Sequence, residues 1–180
     1  EESIPLTPIK LEMYRGDSFQ VVVDKPEYAL AIAIALRAKL KAETPDGQKL
    51  WDARLAVGVG EISFESDNIV TSDGEAFRLS GHSFDHIGKK RLSISTPWSD
   101  FNANIELVTR FADDLITSWT AKQARVVYQS MLFPKLQKDL AEELDMTRQN
   151  FNYHWSSARG QLILDYVEYF KSLISKYVRQ

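Results

Sequence analysis

Residues 136–155 read LQKDLAEELDMTRQNFNYHW, and their spacing predicts two short helices joined by a tight turn. Leu140 and Leu144 bury the first helix, and Ala141 is small where a second helix has to cross close to it. Asp145 falls at the turn, where the backbone goes left-handed. Asp tolerates that conformation better than most residues, at some strain. Met146 plugs the core beneath the turn. Thr147 is a good N-cap for the second helix, because its hydroxyl accepts from an otherwise unsatisfied amide of the first turn. Phe151 and Trp155, four apart, anchor that helix inward. Arg148, Gln149, Asn150, Asn152, His154, Ser156 and Arg159 are left to project or flank, and Thr147 to Arg159 contains no acidic residue.

The pattern resembles the helix-turn-helix that ends sigma-factor and response-regulator chains. The resemblance implies a second helix that enters the major groove of double-stranded DNA. Such a helix needs donors for phosphates and base edges, and a carboxylate on it meets a strongly negative potential. Arg, Gln and Asn in its first turns are residue types that read bases in this docking mode. Arg148, Gln149 and Asn152 are expected near bases. Lys138, His154 and Arg159 are expected nearer the phosphates, and Thr147 and Asn150 complete the DNA-facing set. The sequence departs from the motif at Asp145, where Gly is usual, and at Leu136, where a capping Ser or Thr is common. Phe151 and Trp155 are also larger than the usual aliphatics. A helical hairpin used only for packing or protein contacts is the alternative.

Upstream, Phe101, Ile105, Val108, Phe111, Leu115 and Trp119 recur at spacings of three and four. They predict an amphipathic connecting helix whose apolar stripe is core packing. Thr120-Ala121-Lys122-Gln123 fits a capping box and opens a helix to about Leu132, with Val126, Val127 and Met131 inward. Pro134 ends that helix or opens the turn after it. Downstream, Gly160 to Val178 is helical, with a broad stripe of Ile163, Tyr166, Val167, Phe170, Leu173, Ile174 and Tyr177. The stripe packs either on the chain's own front half or, through 160–178, in a homodimer. A two-fold axis would supply the spacing of two half-sites one helical turn apart.

In the front half, Ile9 to Met13 and Phe19 to Val23 read as strands of a hairpin around Gly16-Asp17. Asp24-Lys25-Pro26 starts a helix that runs from Glu27 to Ala42, with Leu30, Ala33, Ile34, Ala38 and Leu40 at helical spacing. Arg37 and Lys39 interrupt its apolar run. Pro45-Asp46-Gly47 is a turn. Arg54 to Phe64 reads as one strand with Leu55, Val57 and Val59 on one face, while Gly58 and Gly60 leave room for a helix or ligand on the other. Ser72-Asp73-Gly74-Glu75 fits a capping box for a helix from about Gly74 to Ile87, and Arg91 to Ser95 is a short strand. The expected class is α+β, an α/β sandwich over residues 1–98 followed by an all-α helix-turn-helix domain over 99–180.

Three stretches of the front half resemble the bacterial SatD family, whose pattern is close to GDEFQ, GIGEI and DGPAF. They are Gly16-Asp17-Ser18-Phe19-Gln20, Gly58-Val59-Gly60-Glu61-Ile62-Ser63 and Asp73-Gly74-Glu75-Ala76-Phe77. The likeness runs from about Met13 to Arg159. It implies a ferredoxin-like, nucleotide-cyclase-like (GGDEF-type) front domain with a helix-turn-helix behind, in which the hairpin turn and first strand present carboxylates to divalent metal and triphosphate. Here Asp17 remains, Ser18 stands in place of the second acid and Arg15 in place of the leading Gly. The first strand and helix of that fold are missing from Glu1 onward, so the sandwich is expected to be truncated at its first strand. Members of the family typically end near the recognition helix.

Asp17 is the candidate nucleotide or metal ligand, but an Asp in a Gly-Asp turn more often serves local backbone hydrogen bonding. The front domain is therefore expected to be catalytically degenerate, serving sensing or assembly, with no cofactor. Mg²⁺ with a nucleotide enters only in the alternative, a metal-dependent nucleotide-binding or cyclase-type enzyme. A protein–protein scaffold is the second alternative. His82 and His86, four apart, share a helix face with only Asp85 beside them, and Glu61 is expected to face solvent.

The whole chain bounds these readings. It has 180 residues, 44% hydrophobic and 26% charged, and a formal net charge of -3. Thr120 to Gln180 carries nine Lys or Arg against six Asp or Glu, while residues 1–119 carry 13 against 19. The halves thus differ in sign, which suits different partners. Cysteine is absent, which excludes disulfides, thiolate metal sites and a Cys nucleophile. No apolar run is long enough to cross a membrane. A cytoplasmic DNA-binding regulator is the expectation. The chain begins at Glu1 rather than Met, so a truncated product is expected.

Overall fold

The computed structural model describes residues 9–14, 16–64, 73–133 and 135–178. In chain order the elements are strands β1 (Ile9–Tyr14) and β2 (Ser18–Val23), a 3-10 turn Pro26–Tyr28, helix α1 (Ala29–Ala42), strands β3 (Leu55–Gly58), β4 (Ile62–Phe64) and β5 (Asp73–Gly74), helix α2 (Glu75–Asp85), strand β6 (Leu92–Ser95), and helices α3 (Ser99–Ser118), α4 (Ala121–Leu132), α5 (Gln137–Glu143), α6 (Arg148–Ser157) and α7 (Gly160–Val178). The fold is α+β and mainly helical.

The centre of the fold is α1. Its sequence ALAIAIALRAKLKA has apolar residues on every side, as a helix surrounded by others requires. Leu30, Ile34 and Ala38 are fully buried. The alanines let α4 approach closely along one side. One hydrophobic cluster joins α1 to Leu92 of β6, to Phe101, Ile105 and Ile116 of α3, to Ala124 and Val127 of α4, and to Ile163, Phe170 and Ile174 of α7. Each fully buried Leu, Ile or Phe contributes about 1.5–3 kcal/mol relative to exposure. The cluster crosses the expected division at residues 98 and 99, so the halves share a core. The stripe of α7 is taken up within the chain: Ile163, Phe170 and Ile174 are buried against α1 and α3, and Tyr166 bonds Thr109 at 2.7 Å between the two hydroxyls. It is therefore not a free face for the homodimer expected through 160–178.

Two cations sit inside this core. The Arg37 guanidinium donates to both carboxylate oxygens of Asp52 at 2.9 Å, to Asp113 Oδ1 at 2.7 Å and to Thr117 Oγ1 at 2.9 Å. Lys41 donates to the Thr117 carbonyl at 3.1 Å and stands 3.4 Å from Asp52. Burial pushes the Asp52 carboxyl up, but the hydrogen bonds and charge of Arg37, helped by Lys41, outweigh it and hold it below its usual value. Burial also lowers the Lys41 ammonium, against the opposing pull of Asp52. The network ties the segment between α1 and β3 to α1 and α3.

The described strands form three two-stranded sheets. β1 and β2 pair antiparallel from Ile9 opposite Val23 to Tyr14 opposite Ser18. β3 and β6 pair parallel, from Leu55 opposite Leu92 to Gly58 opposite Ser95, with α2 as the crossover between them. The expected single strand from Arg54 to Phe64 is interrupted at Val59–Glu61, because the chain leaves β6 and Ile62 pairs instead with Gly74. Gly58 admits a helix, since a Cβ there would lie 2.2 Å from the Ala76 carbonyl and 2.7 Å from the Ser80 amide of α2. The Pro45-Asp46-Gly47 turn closes with Gln48 N–H on Pro45 O at 3.2 Å and Gly47 at φ 78°. The Ser72 of the expected capping box, Arg15 and Pro134 lie outside the described residues.

The connecting helix α3 differs from its expected packing. Phe101, Ile105, Ala112 and Ile116 face the core, and so does Trp119 just beyond the helix. Val108 and Phe111, assigned to the core by their spacing, face solvent instead, with Phe111 65% exposed. The physical reason is a double stripe: Thr109 and Asp113 are buried in their place by their bonds to Tyr166 and Arg37.

Candidate nucleic-acid interface

The turn between α5 and α6 is built from local hydrogen bonds. Asp145 N–H donates to Glu142 O at 3.1 Å and Met146 N–H to Ala141 O at 2.9 Å, with Asp145 at φ 52°. This is a Schellman closure, with Asp in the left-handed position that Gly usually fills. Thr147 then caps α6, its hydroxyl accepting from Asn150 N–H at 3.1 Å. Beneath the turn, Leu140, Ala141, Phe151 and Val126 of α4 form a second buried cluster, with Leu144, Met146 and Trp155 at its edge. The large aromatics are accommodated because α4 supplies a third wall.

The far end of α6 is fixed as firmly. Arg159 has φ 55° and its N–H donates to Ser156 O at 3.1 Å, so it too occupies a left-handed helix-ending position. Gly160, the next residue, opens α7 under the Trp155 ring. A Cβ there would lie 2.3–2.5 Å from ring atoms, so the small residue is needed for close approach. Trp119 Nε1–H donates to Ala158 O at 2.9 Å and locks this corner to the end of α3.

Between these two corners α6 presents a polar outer surface. Arg148, Gln149, Asn150 and Ser156 are exposed, and Asn152 is half-buried. Helical geometry sets Arg148, Gln149, Asn152 and Ser156 toward one side and Asn150 and His154 toward the other. Tyr153 lies between them, 66% exposed and opposite buried Phe151. Tyr153 is outside the DNA-facing set expected from the sequence; its place four residues after Gln149, out of phase with Phe151, is the sequence signal of its outward position. Lys138 on α5, Arg148 and Arg159 form no ion pair among the described residues. Lys135 is engaged by Glu143.

His154 lies on the side of α6 that faces α4. It is half-buried, and burial, reinforced by Lys122, holds its imidazole below the ordinary value. At neutral pH it offers a hydrogen bond rather than a charge. Lys122, at the start of α4, supplies a cation on that side.

The front-half candidates are scattered. Asp17 is exposed in the hairpin turn beside Gly16 at φ 79°. Glu61 is exposed. His82 and His86 share a face at the end of α2, their ring centroids 4.4 Å apart, with His86 Nδ1 2.8 Å from His82 O. Among the described residues no group of three or more His, Asp or Glu could hold a metal ion. A single exposed carboxylate does not fit Mg²⁺ with a triphosphate. No helix among the described residues is long and apolar enough to cross a membrane. Neither a family model, nor a curated protein, nor a solved structure matches the chain.

Proposed function

We propose that the chain binds double-stranded DNA by laying α6 in the major groove, and acts as a cytoplasmic transcriptional regulator of bacterial type. One observation carries this reading: α6 is held rigidly at both ends while its outer surface carries donors and no acid. Arg148, Gln149 and Asn152 face the bases, with Tyr153 beside them. Lys138, Arg159 and Lys122 meet phosphates, and Thr147 and Asn150 bring the capped N-terminus of α6, with its partial positive charge, toward the backbone. The likeness of the front half to a SatD-type, cyclase-like sandwich belongs to the same proposal. The seating of α2 on β3 at Gly58 supports it, and the role assigned to that half is sensing or assembly.

The test is a fluorescence-anisotropy titration with mixed duplex fragments at two salt concentrations. Wild type is expected to lose affinity steeply as salt rises, because phosphate contacts release counterions. Arg148→Ala/Asn152→Ala is expected to weaken binding by on the order of 30- to 20,000-fold, at about 1–3 kcal/mol per base-reading side chain. Absence of binding at low salt, or binding indifferent to the double substitution, overturns the reading.

A further inference from the structure

The outer side of α3 carries a contiguous apolar surface that the described residues leave uncovered. Leu107, Val108 and Phe111 are 57%, 38% and 65% exposed, with Leu115 half-buried one turn on. Asn104, Val108, Phe111 and Leu115 recur at spacings of four, three and four, the repeat of a helix that pairs with another helix. Single exposed apolar residues are ordinary on a surface, whereas a contiguous patch of this kind marks an interaction site.

The charges beside the patch say what covers it. Arg110 and Asp114 lie one turn apart on the same flank, both exposed, and neither forms an ion pair among the described residues. A parallel copy of α3 would hold the two charged flanks on opposite sides of the contact, so Arg110 and Asp114 would not meet. An antiparallel copy crossing near Phe111 brings Arg110 beside Asp114 of the second copy, and the reverse, around a two-fold axis. The same crossing stacks Phe111 on its counterpart and sets Leu107 against Leu115 of the second copy. The surface is therefore complementary to itself.

We infer that the chain forms a two-fold homodimer through the outer face of α3, in antiparallel contact about Phe111. This contact uses none of the residues assigned to DNA and leaves the α7 stripe in its own core. It is tested without DNA, so its failure and that of the DNA reading are separable.

The experiment is sedimentation equilibrium of the full chain. Wild type is expected to dimerise reversibly. Phe111→Asp is expected to raise the dissociation constant at least about tenfold, as loss of a central aromatic anchor does. Because Phe111 is exposed, this variant keeps its fold, checked by an unchanged circular dichroism melt; Leu107→Asp is the second variant. Arg110→Glu and Asp114→Arg each weaken the dimer on their own, and the double exchange Arg110→Glu/Asp114→Arg restores it. A monomeric wild type at the highest soluble concentration leaves the patch to a different protein and overturns the proposal. So does a dimer indifferent to Phe111→Asp, or a double exchange that fails to restore association.

Discussion

Helices α1 and α6 both carry arginine, and the fold uses it in opposite ways. In α1, Arg37 is wholly buried, its donors divided among Asp52, Asp113 and Thr117. In α6, Arg148 is exposed, and no acid lies between Thr147 and Arg159 to engage it. The first cation organises the protein's own chain. The second has no ion-pair partner among the described residues and, in the proposed function, meets an external anion. Charge alone does not distinguish them in a sequence; what matters is whether acids are in reach once the chain has folded.

Arg37→Ala breaks the contrast from the side of α1 and has the largest expected effect. It leaves Asp52 and Asp113 without their buried counter-charge, which costs about 3–5 kcal/mol. Urea denaturation followed by circular dichroism reads this as a lowered midpoint. An unchanged midpoint shows that the network carries little of the stability.

Gly160→Ala tests the rigidity of α6. Its methyl group enters the Trp155 ring, and overpacking of this kind costs about 1–3 kcal/mol. The same variant is expected to weaken DNA binding with every DNA-facing side chain intact. Equal binding by a destabilised Gly160→Ala protein would show that the seat of α6 does not control the interface.

The smallest effect expected is a pH dependence from the α1 side. Asp52 is held below its ordinary value, so the unfolded chain takes up its proton first as pH falls. Its stabilising contribution is therefore complete above about pH 4, where a free aspartate ionises, and is lost as pH falls through the folded-state value. Denaturation midpoints measured from neutral pH downward should fall more gently in Asp52→Asn than in wild type. Parallel profiles would show that the pairing with Arg37 does not shift the carboxyl.

What the sequence made legible was local. Asp145, Thr147 and the Thr120–Gln123 box act on backbone groups within a few residues, and each forms the bonds its chemistry requires. The bounds of α4 and α7 follow from caps and periodicity for the same reason. The Arg37 network was not legible, because Asp52 and Asp113 lie 15 and 76 residues away. Its only local trace was two cations, Arg37 and Lys41, one turn apart on an apolar helix. The stripe of α3 differs from its expected packing because periodicity shows which residues align and not which of two overlapping stripes meets a neighbour. The hairpin turn of Asp17 had the same limit: its shape is local, but any ligand role depends on acids brought from elsewhere.

The position of α1 also bears on how the molecule comes into being. This helix is apolar on every side, yet the elements that cover it, α3, α4 and α7, are translated long after it. At ordinary elongation rates the nascent chain holds α1 for on the order of ten seconds before α7 emerges to close over it. Until then its alanine and isoleucine faces lack part of their final cover, although Asp52, Asp113 and Thr117, the partners of Arg37 and Lys41, are translated before α7. Synthesis therefore has a vulnerable interval set by the order of the helices, and α6 cannot be presented in its finished geometry before that interval ends.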